Sequence, residues 1–131
     1  FFFFKNMQKD DTNTKLLWAI KNGELETVEQ YISEGIDPNT KIFGRTLLHH
    51  AADYGHKNVI DYLLKEKADI NSIDEYGNSV VLTAIYENHL DCVEFLIKKG
   101  ANINTKSPSS KSLLEEAKTE EMINLLRGSI S

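Results

Sequence analysis

The sequence predicts an all-α fold, a solenoid of four stacked helix pairs with short loop tips and a truncated last unit. Three observations predict it. Ala19, Ala51, Ala84 and Ala117 recur 32, 33 and 33 residues apart. The segment ends recur with them, as Ile36-Asp37-Pro38-Asn39, Ala68-Asp69-Ile70-Asn71 and Ala101-Asn102-Ile103-Asn104. Between these marks each unit reads as two amphipathic helices and a turn, and self-similarity at such a period is the signature of a repeat array.

In each unit a short polar residue opens the first helix: Thr46, Ser79 and Ser112 stand where a hydroxyl can accept a bond from an orphan backbone N–H. Leu48 and Ala51, Val81 and Ala84, and Leu114 and Ala117 give that helix a narrow apolar stripe. Gly23, Gly55 and Asn88 then tolerate the left-handed conformation that ends a helix. The second helix buries Leu25, Val28, Tyr31 and Ile32 in the first unit, Val59, Ile60, Leu63 and Leu64 in the second, and Cys92, Val93, Leu96 and Ile97 in the third. Residues 14–127 form one domain on this reading, with repeats at about 14–41, 42–74, 75–107 and 108–127. The first and last repeats are expected to act as caps with polar outer faces. Residues 1–13 and 128–131 are read as tails, and Phe1 to Asn6 as an expression remnant or a mis-called upstream codon run ahead of Met7, a genuine sticky tail being the alternative.

Composition narrows the function classes. The 131 residues carry 20 acidic and 15 basic side chains, a formal charge of −5. That balance disfavours a dedicated nucleic-acid binder, which needs clustered Lys and Arg, and fits a basic partner better. One cysteine, Cys92, excludes an internal disulfide framework and suits a reducing compartment, so a cytoplasmic location is expected. The four apolar residues Phe1 to Phe4 make neither a signal-peptide core nor a membrane span.

The stretch Thr46-Leu47-Leu48-His49-His50-Ala51-Ala52-Asp53-Tyr54-Gly55-His56, followed by Val59-Ile60-Asp61-Tyr62-Leu63-Leu64 and Ala68-Asp69-Ile70-Asn71, resembles an ankyrin repeat. Leu47, Val80 and Leu113 occupy the position where the family usually has Pro, which removes a preset dihedral but leaves a permitted residue. From about Leu16 to Leu126, Leu17-Trp18-Ala19-Ile20-Lys21-Asn22-Gly23-Glu24-Leu25, Ala84-Ile85-Tyr86-Glu87-Asn88-His89 and Asp91-Cys92-Val93 are similar in order and spacing to a small four-repeat branch of that family. The resemblance implies a protein-binding module that sequesters the heterodimeric actin capping protein by occluding its basic actin-binding surface. It departs at Lys41 to Gly44, one residue shorter, with Phe43 standing where the branch carries an acidic residue.

The family's architecture implies a concave surface of loop tips and first helices. Mapped onto it, the partner-facing residues are Ile42, Phe43 and Arg45, then Asp74, Glu75, Tyr76 and Asn78 on the tips. On the helices they are Trp18, Lys21, Asn22, His50, Asp53, Tyr54, Thr83, Tyr86 and Glu87. Asp53, Asp74, Glu75 and Glu87 among Tyr54, Tyr76 and Tyr86 suit a partner bearing Lys and Arg, the rings as anchors and the carboxylates steering association. Ordinary solvated surface is the alternative for any one of these positions. Trp18 is either cap packing or an edge anchor. A general adaptor for another basic segment, such as one from a transcription factor or kinase, is the second reading.

Chemistry finds less support, and no enzyme activity, cofactor or metal is expected. His49, His50, Asp53 and His56 fall within eight positions, yet helical spacing puts His49 with Asp53 on one face and points His50 elsewhere. His56 and His89 repeat at one register position, and the family resemblance implies that His49 bonds backbone in the adjacent loop. Cys92 lies on an apolar helix face, where a free cysteine acts as a small hydrophobe. No glycine spacing makes a phosphate cradle, and Glu115-Glu116 and Glu120-Glu121 read as a solvated face. The expected molecule is a monomer that binds protein, with no nucleic acid and no membrane.

Overall fold

A computed structural model describes the backbone of residues 2–130 and the side chains of residues 11–130. Phe1 and Ser131, each in a stretch read as a tail, lie outside the described residues. Eight helices are described, in four pairs: α1 (Phe2–Lys21) with α2 (Leu25–Ser33), α3 (Leu47–Tyr54) with α4 (Lys57–Lys65), α5 (Val80–Tyr86) with α6 (Leu90–Lys98), and α7 (Leu113–Glu116) with α8 (Glu120–Ser129). The only sheet among the described residues is a two-stranded hairpin, β1 (Lys41–Ile42) and β2 (Arg45–Thr46), pairing Lys41 with Thr46 and Ile42 with Arg45. The two later loop tips, or fingers, keep a single antiparallel bridge each, Ile73 to Ser79 and Lys106 to Ser112.

The helices begin where the caps place them. Thr46, Ser79 and Ser112 side chains accept from the N–H of His49, Leu82 and Glu115, and Glu115 returns the bond to Ser112 N–H as a capping box. First helices pack in sequence, α1 on α3 on α5 on α7, and second helices likewise from α2 to α8. Between the two layers lie Leu16, Ile20, Leu48, Ile60, Leu82, Ile85, Leu96 and Met122, all fully buried.

Two departures from the sequence reading stand out. Helix α1 runs back to Phe2, through the stretch read as a tail; no Pro or Gly interrupts it before Gly23, and Asp11 and Lys15 pair across one turn at 3.2 Å. Ala117, expected on the stripe of the last first-helix, is extended at ψ 134°, because α7 stops at Glu116 and Thr119 already caps α8.

The repeating residues tie neighbouring units together. Asn39 Oδ1 accepts from Asp69 N–H at 2.8 Å, and Asn71 Oδ1 from Asn102 N–H at 2.9 Å, so the recurrent segment ends are inter-repeat bonds. His56 Nε2 donates to Lys21 O at 2.7 Å and His89 Nε2 to Asp53 O at 2.9 Å, each imidazole lying over the glycine that ends the preceding first helix. A Cβ on Gly23 would meet His56 Nδ1 at 2.7 Å, so the position excludes side chains by space as well as by its φ of 68°. In the third unit both partners change: Asn88 (φ 57°) replaces the glycine, and Thr119 replaces the histidine and donates to Asn88 Oδ1 at 2.9 Å.

Candidate protein-binding surface

The three fingers repeat in register, and each leans on the one before. Glu75 packs its carboxylate over Gly44, its N–H donates to Gly44 O at 3.0 Å, and Pro108 lies over Gly77. The following register position is Ser110, which holds the same left-handed backbone, φ 62°, and among the described residues no finger packs over it. One residue earlier in each finger stand Phe43, Tyr76 and Ser109, so two aromatic rings occupy equivalent sites on adjacent tips. Both are open to solvent, Phe43 77% and Tyr76 62% exposed.

Phe43 is unusual in backbone as well. It has φ 54° and Gly44 φ 76°, the two left-handed residues of a type I′ hairpin, where Asn-Gly is the common choice. A left-handed conformation costs a non-glycine residue about 1 kcal/mol. A large apolar ring held outward at that cost is a local conflict of the kind found at functional sites.

Behind the tips, two of the four carboxylates expected in the acidic hollow share one internal cation. Arg45 reaches Asp53 Oδ2 through an Nη at 3.5 Å and Asp74 Oδ2 through Nε at 3.6 Å. Asp74 is buried; its Oδ1 accepts from the N–H groups of Tyr76 and Asn78, both at 2.9 Å, so it shapes the second finger and does not face solvent. His50 is also buried, donating from Nε2 to Ile42 O at 2.8 Å and fixing β1 to α3. Burial holds its imidazole below the ordinary histidine range, partly offset by that bond. The neighbouring His49 is lowered in the same way; its Nε2 donates to Asn78 O at 2.8 Å and its Nδ1 accepts from Thr46 Oγ1 at 2.7 Å. His49 thus bonds the adjacent finger.

Several other expected contacts are engaged inside the chain. Ile42 and Thr83 are buried, and Asn78 is half-buried. Tyr86 is half-buried, its phenol pushed up first by desolvation and then by its hydrogen bond to Glu116. Lys21 places its ammonium 5.5 Å from the Tyr54 ring centroid, a cation–π contact, and Tyr54 stays 42% exposed. Asn22 bonds Trp18 O from its amide. What the face presents outward is Phe43, Tyr54 and Tyr76 with the exposed carboxylates Glu75 and Glu87, Tyr54 and Glu87 being register equivalents on adjacent first helices. Trp18 is 58% exposed at the outer end of the stack.

The Arg45 clamp escaped the sequence reading because it breaks the period: the equivalent positions hold Asn78 and Lys111. A lone Arg one residue past a Gly, eight before one Asp, was its available signal. Exposed Ile73, at the base of the second finger, was missed too.

Catalytic chemistry has little to build on. The Cys92 thiol is buried and pushed up to about 12, chiefly by desolvation, so it is not a thiolate nucleophile. Among the described residues no three His, Cys, Asp or Glu converge as metal ligands, and no helix is long and apolar enough to cross a membrane.

Stacked helix pairs joined by register-locked fingers define an ankyrin-type interaction module. The family profile for ankyrin repeats in three copies matches residues 16–107, and the chain belongs to that family. Among individual proteins, it is 39% identical to myotrophin of Xenopus tropicalis over 56 residues, 42% of this chain and 48% of that protein. It is 42% identical to chicken (Gallus gallus) myotrophin over 45 residues, 34% of this chain and 38% of that protein. It is also 33% identical to serine/threonine-protein kinase 12 of Arabidopsis thaliana over 84 residues, 63% of this chain but 18% of the kinase. The chain thus spans less than half the length of each of these relatives.

Proposed function

We propose that this chain is a cytoplasmic protein-binding module that sequesters the heterodimeric actin capping protein by covering its basic actin-binding surface, so that filament barbed ends continue to grow. The observation that carries the reading is the set of outward rings Tyr54 and Tyr76 together with the exposed carboxylates Glu75 and Glu87. Rigid aromatics give large contact area for few frozen rotors, and each desolvated anchor is worth about 2 kcal/mol or more. The two exposed carboxylates steer a basic partner into register. Similarity to myotrophin supports the choice of partner. Occlusion requires no chemistry, in keeping with an inert thiol.

The fingers and the first helices are already held in place by Arg45, His49 and His50, so binding orders little backbone and loses little entropy. Pyrene-actin elongation in the presence of capping protein tests the reading: a molar excess of this chain restores growth, and capped ends that stay capped refute it. Phe43 favours a second reading, an adaptor for a different basic segment with an apolar residue to insert at the first finger. Binding carried by Phe43 with no effect on capping supports that alternative.

A further inference from the structure

The third finger carries chemistry that the other two lack. It reads Lys106-Ser107-Pro108-Ser109-Ser110-Lys111, three hydroxyls between two lysines. Ser107 takes the structural role that Asp74 has in the second finger. Asp74 Oδ1 accepts from the N–H groups two and four residues on, and Ser107 Oγ likewise accepts from Ser109 and Lys111 N–H, both at 3.3 Å. Ser107 Oγ also donates to Glu116 Oε1 at 3.3 Å, and the residue is buried. The serine that precedes the proline is therefore spent inside the fold. Ser110 holds the left-handed turn, its N–H bonded to Ser107 O at 2.8 Å.

Ser109 is left at the tip, exposed and in register with Phe43 and Tyr76; among the described residues no hydrogen bond engages its hydroxyl. Lys106 and Lys111 are exposed on the two limbs, and neither forms an ion pair among the described residues. Both bear on Glu115, whose carboxyl is held below the usual carboxylate range first by its bonds with Ser112 and last by these two cations. Of all the serines and threonines in the sequence, Ser109 alone has a lysine three residues before it and another two residues after it. That spacing offers two cations to the acidic substrate cleft of a basophilic protein kinase, and charge pattern is how such enzymes choose substrates. The finger is also built to open. Beyond its own turn bonds it keeps one antiparallel bridge, Lys106 to Ser112, and few contacts around an exposed loop mean local opening at low cost.

We propose that Ser109 is a phosphorylation site for a basophilic serine/threonine kinase, with the phosphate held between Lys106 and Lys111. The Ser109 oxygen bonds the γ-phosphorus of ATP, its proton passes to the kinase's carboxylate base, and ADP leaves with the electron pair of the broken bond. The product carries a charge of about −1.5 to −2, which the two flanking lysines pair. On the reading of a basic partner argued above, the modification extends the acidic set of Glu75 and Glu87 to the third finger and speeds association.

The test needs no partner, so its outcome is separate from that of the capping assay. The full chain is incubated with ATP and protein kinase C as the basophilic probe, and in parallel with a proline-directed mitogen-activated kinase, and the phosphate is mapped by tandem mass spectrometry. Expected is phosphate on Ser109 from the first kinase and none on Ser107 from the second, with Lys106→Gln plus Lys111→Gln slowing the first reaction about tenfold or more. In chains synthesised with phosphoserine at position 109, phosphorus NMR places the second ionisation below its ordinary value of about 6, and the same two substitutions return it. Phosphate placed elsewhere in place of Ser109, phosphorylation of Ser107 in the folded chain, equal rates with and without the lysines, or an unshifted ionisation overturns the proposal.

Discussion

The imidazole of His56 rests on Gly23, and its Nε2 closes a 2.7 Å bond to Lys21 O, the carbonyl two residues earlier. One side chain thus ties the second repeat to the helix end of the first, and it does so only because position 23 has no Cβ. Gly23→Ala should cost about 1 kcal/mol for the left-handed backbone alone, and more for the imidazole it displaces. In a His56→Ala background the same substitution should cost less. Urea unfolding of the four chains measures the coupling, and additive costs would show that the two residues do not compete for space.

Removing Arg45 should be expensive relative to its half-exposed position. Arg45→Ala leaves the buried Asp74 carboxylate without its cation, and breaking a buried pair from one side costs about 3 kcal/mol or more. Adding Asp74→Asn should recover part of the loss, since the amide oxygen still accepts from Tyr76 and Asn78 N–H. Thermal unfolding of the single and double variants checks both steps.

His49 and His50 make stability depend on pH in a definite direction. Burial lowers both folded-state values, so the unfolded chain binds more protons once pH drops below the ordinary histidine value near 6.5. Their contribution is complete above about pH 6.5 and is lost as pH falls from there through the lowered folded values. Unfolding midpoints should therefore fall between about pH 7 and about pH 5. His50→Gln, which keeps a donor for Ile42 O but cannot titrate, should flatten the decline.

At the first finger, stability and binding should move in opposite directions. Phe43→Asn supplies the residue that a type I′ turn prefers, and should stabilise the fold by up to about 1 kcal/mol. The same change removes an exposed anchor and should weaken partner binding by about 2 kcal/mol. Denaturation and titration calorimetry on one preparation read both; a gain in stability with undiminished binding would remove Phe43 from the interface.

The carboxylates should act mainly on association rate. Glu75→Lys with Glu87→Lys should slow association with a basic partner and reduce its sensitivity to salt. Asp53→Lys should instead disturb the fold, because Asp53 is spent on Arg45. Stopped-flow binding at two ionic strengths separates these outcomes.

Most of the architecture was legible because it is periodic. Each cap hydroxyl, helix-ending Gly or Asn and segment-end Asn recurs at a fixed interval, and repetition turns three weak local signals into one strong one. The outward aromatics were legible for the same reason, Phe43 and Tyr76 sharing a register. What escaped was aperiodic or non-local. Arg45 has no counterpart in the other fingers, so its capture of Asp53 and Asp74 left no pattern, and carboxylates that look free in the sequence are occupied in the fold. The early end of α7 escaped too, since an alanine at the right interval conceals the absence of a helix around it.

Asn88 and Ser110 hold left-handed backbone where earlier units have glycine, and among the described residues neither lies beneath a histidine or a following finger. They act as punctuation. Anyone lengthening this solenoid by grafting another complete unit behind the third would have to restore glycine at both sites, or the newcomer's histidine and finger would find their seats already taken.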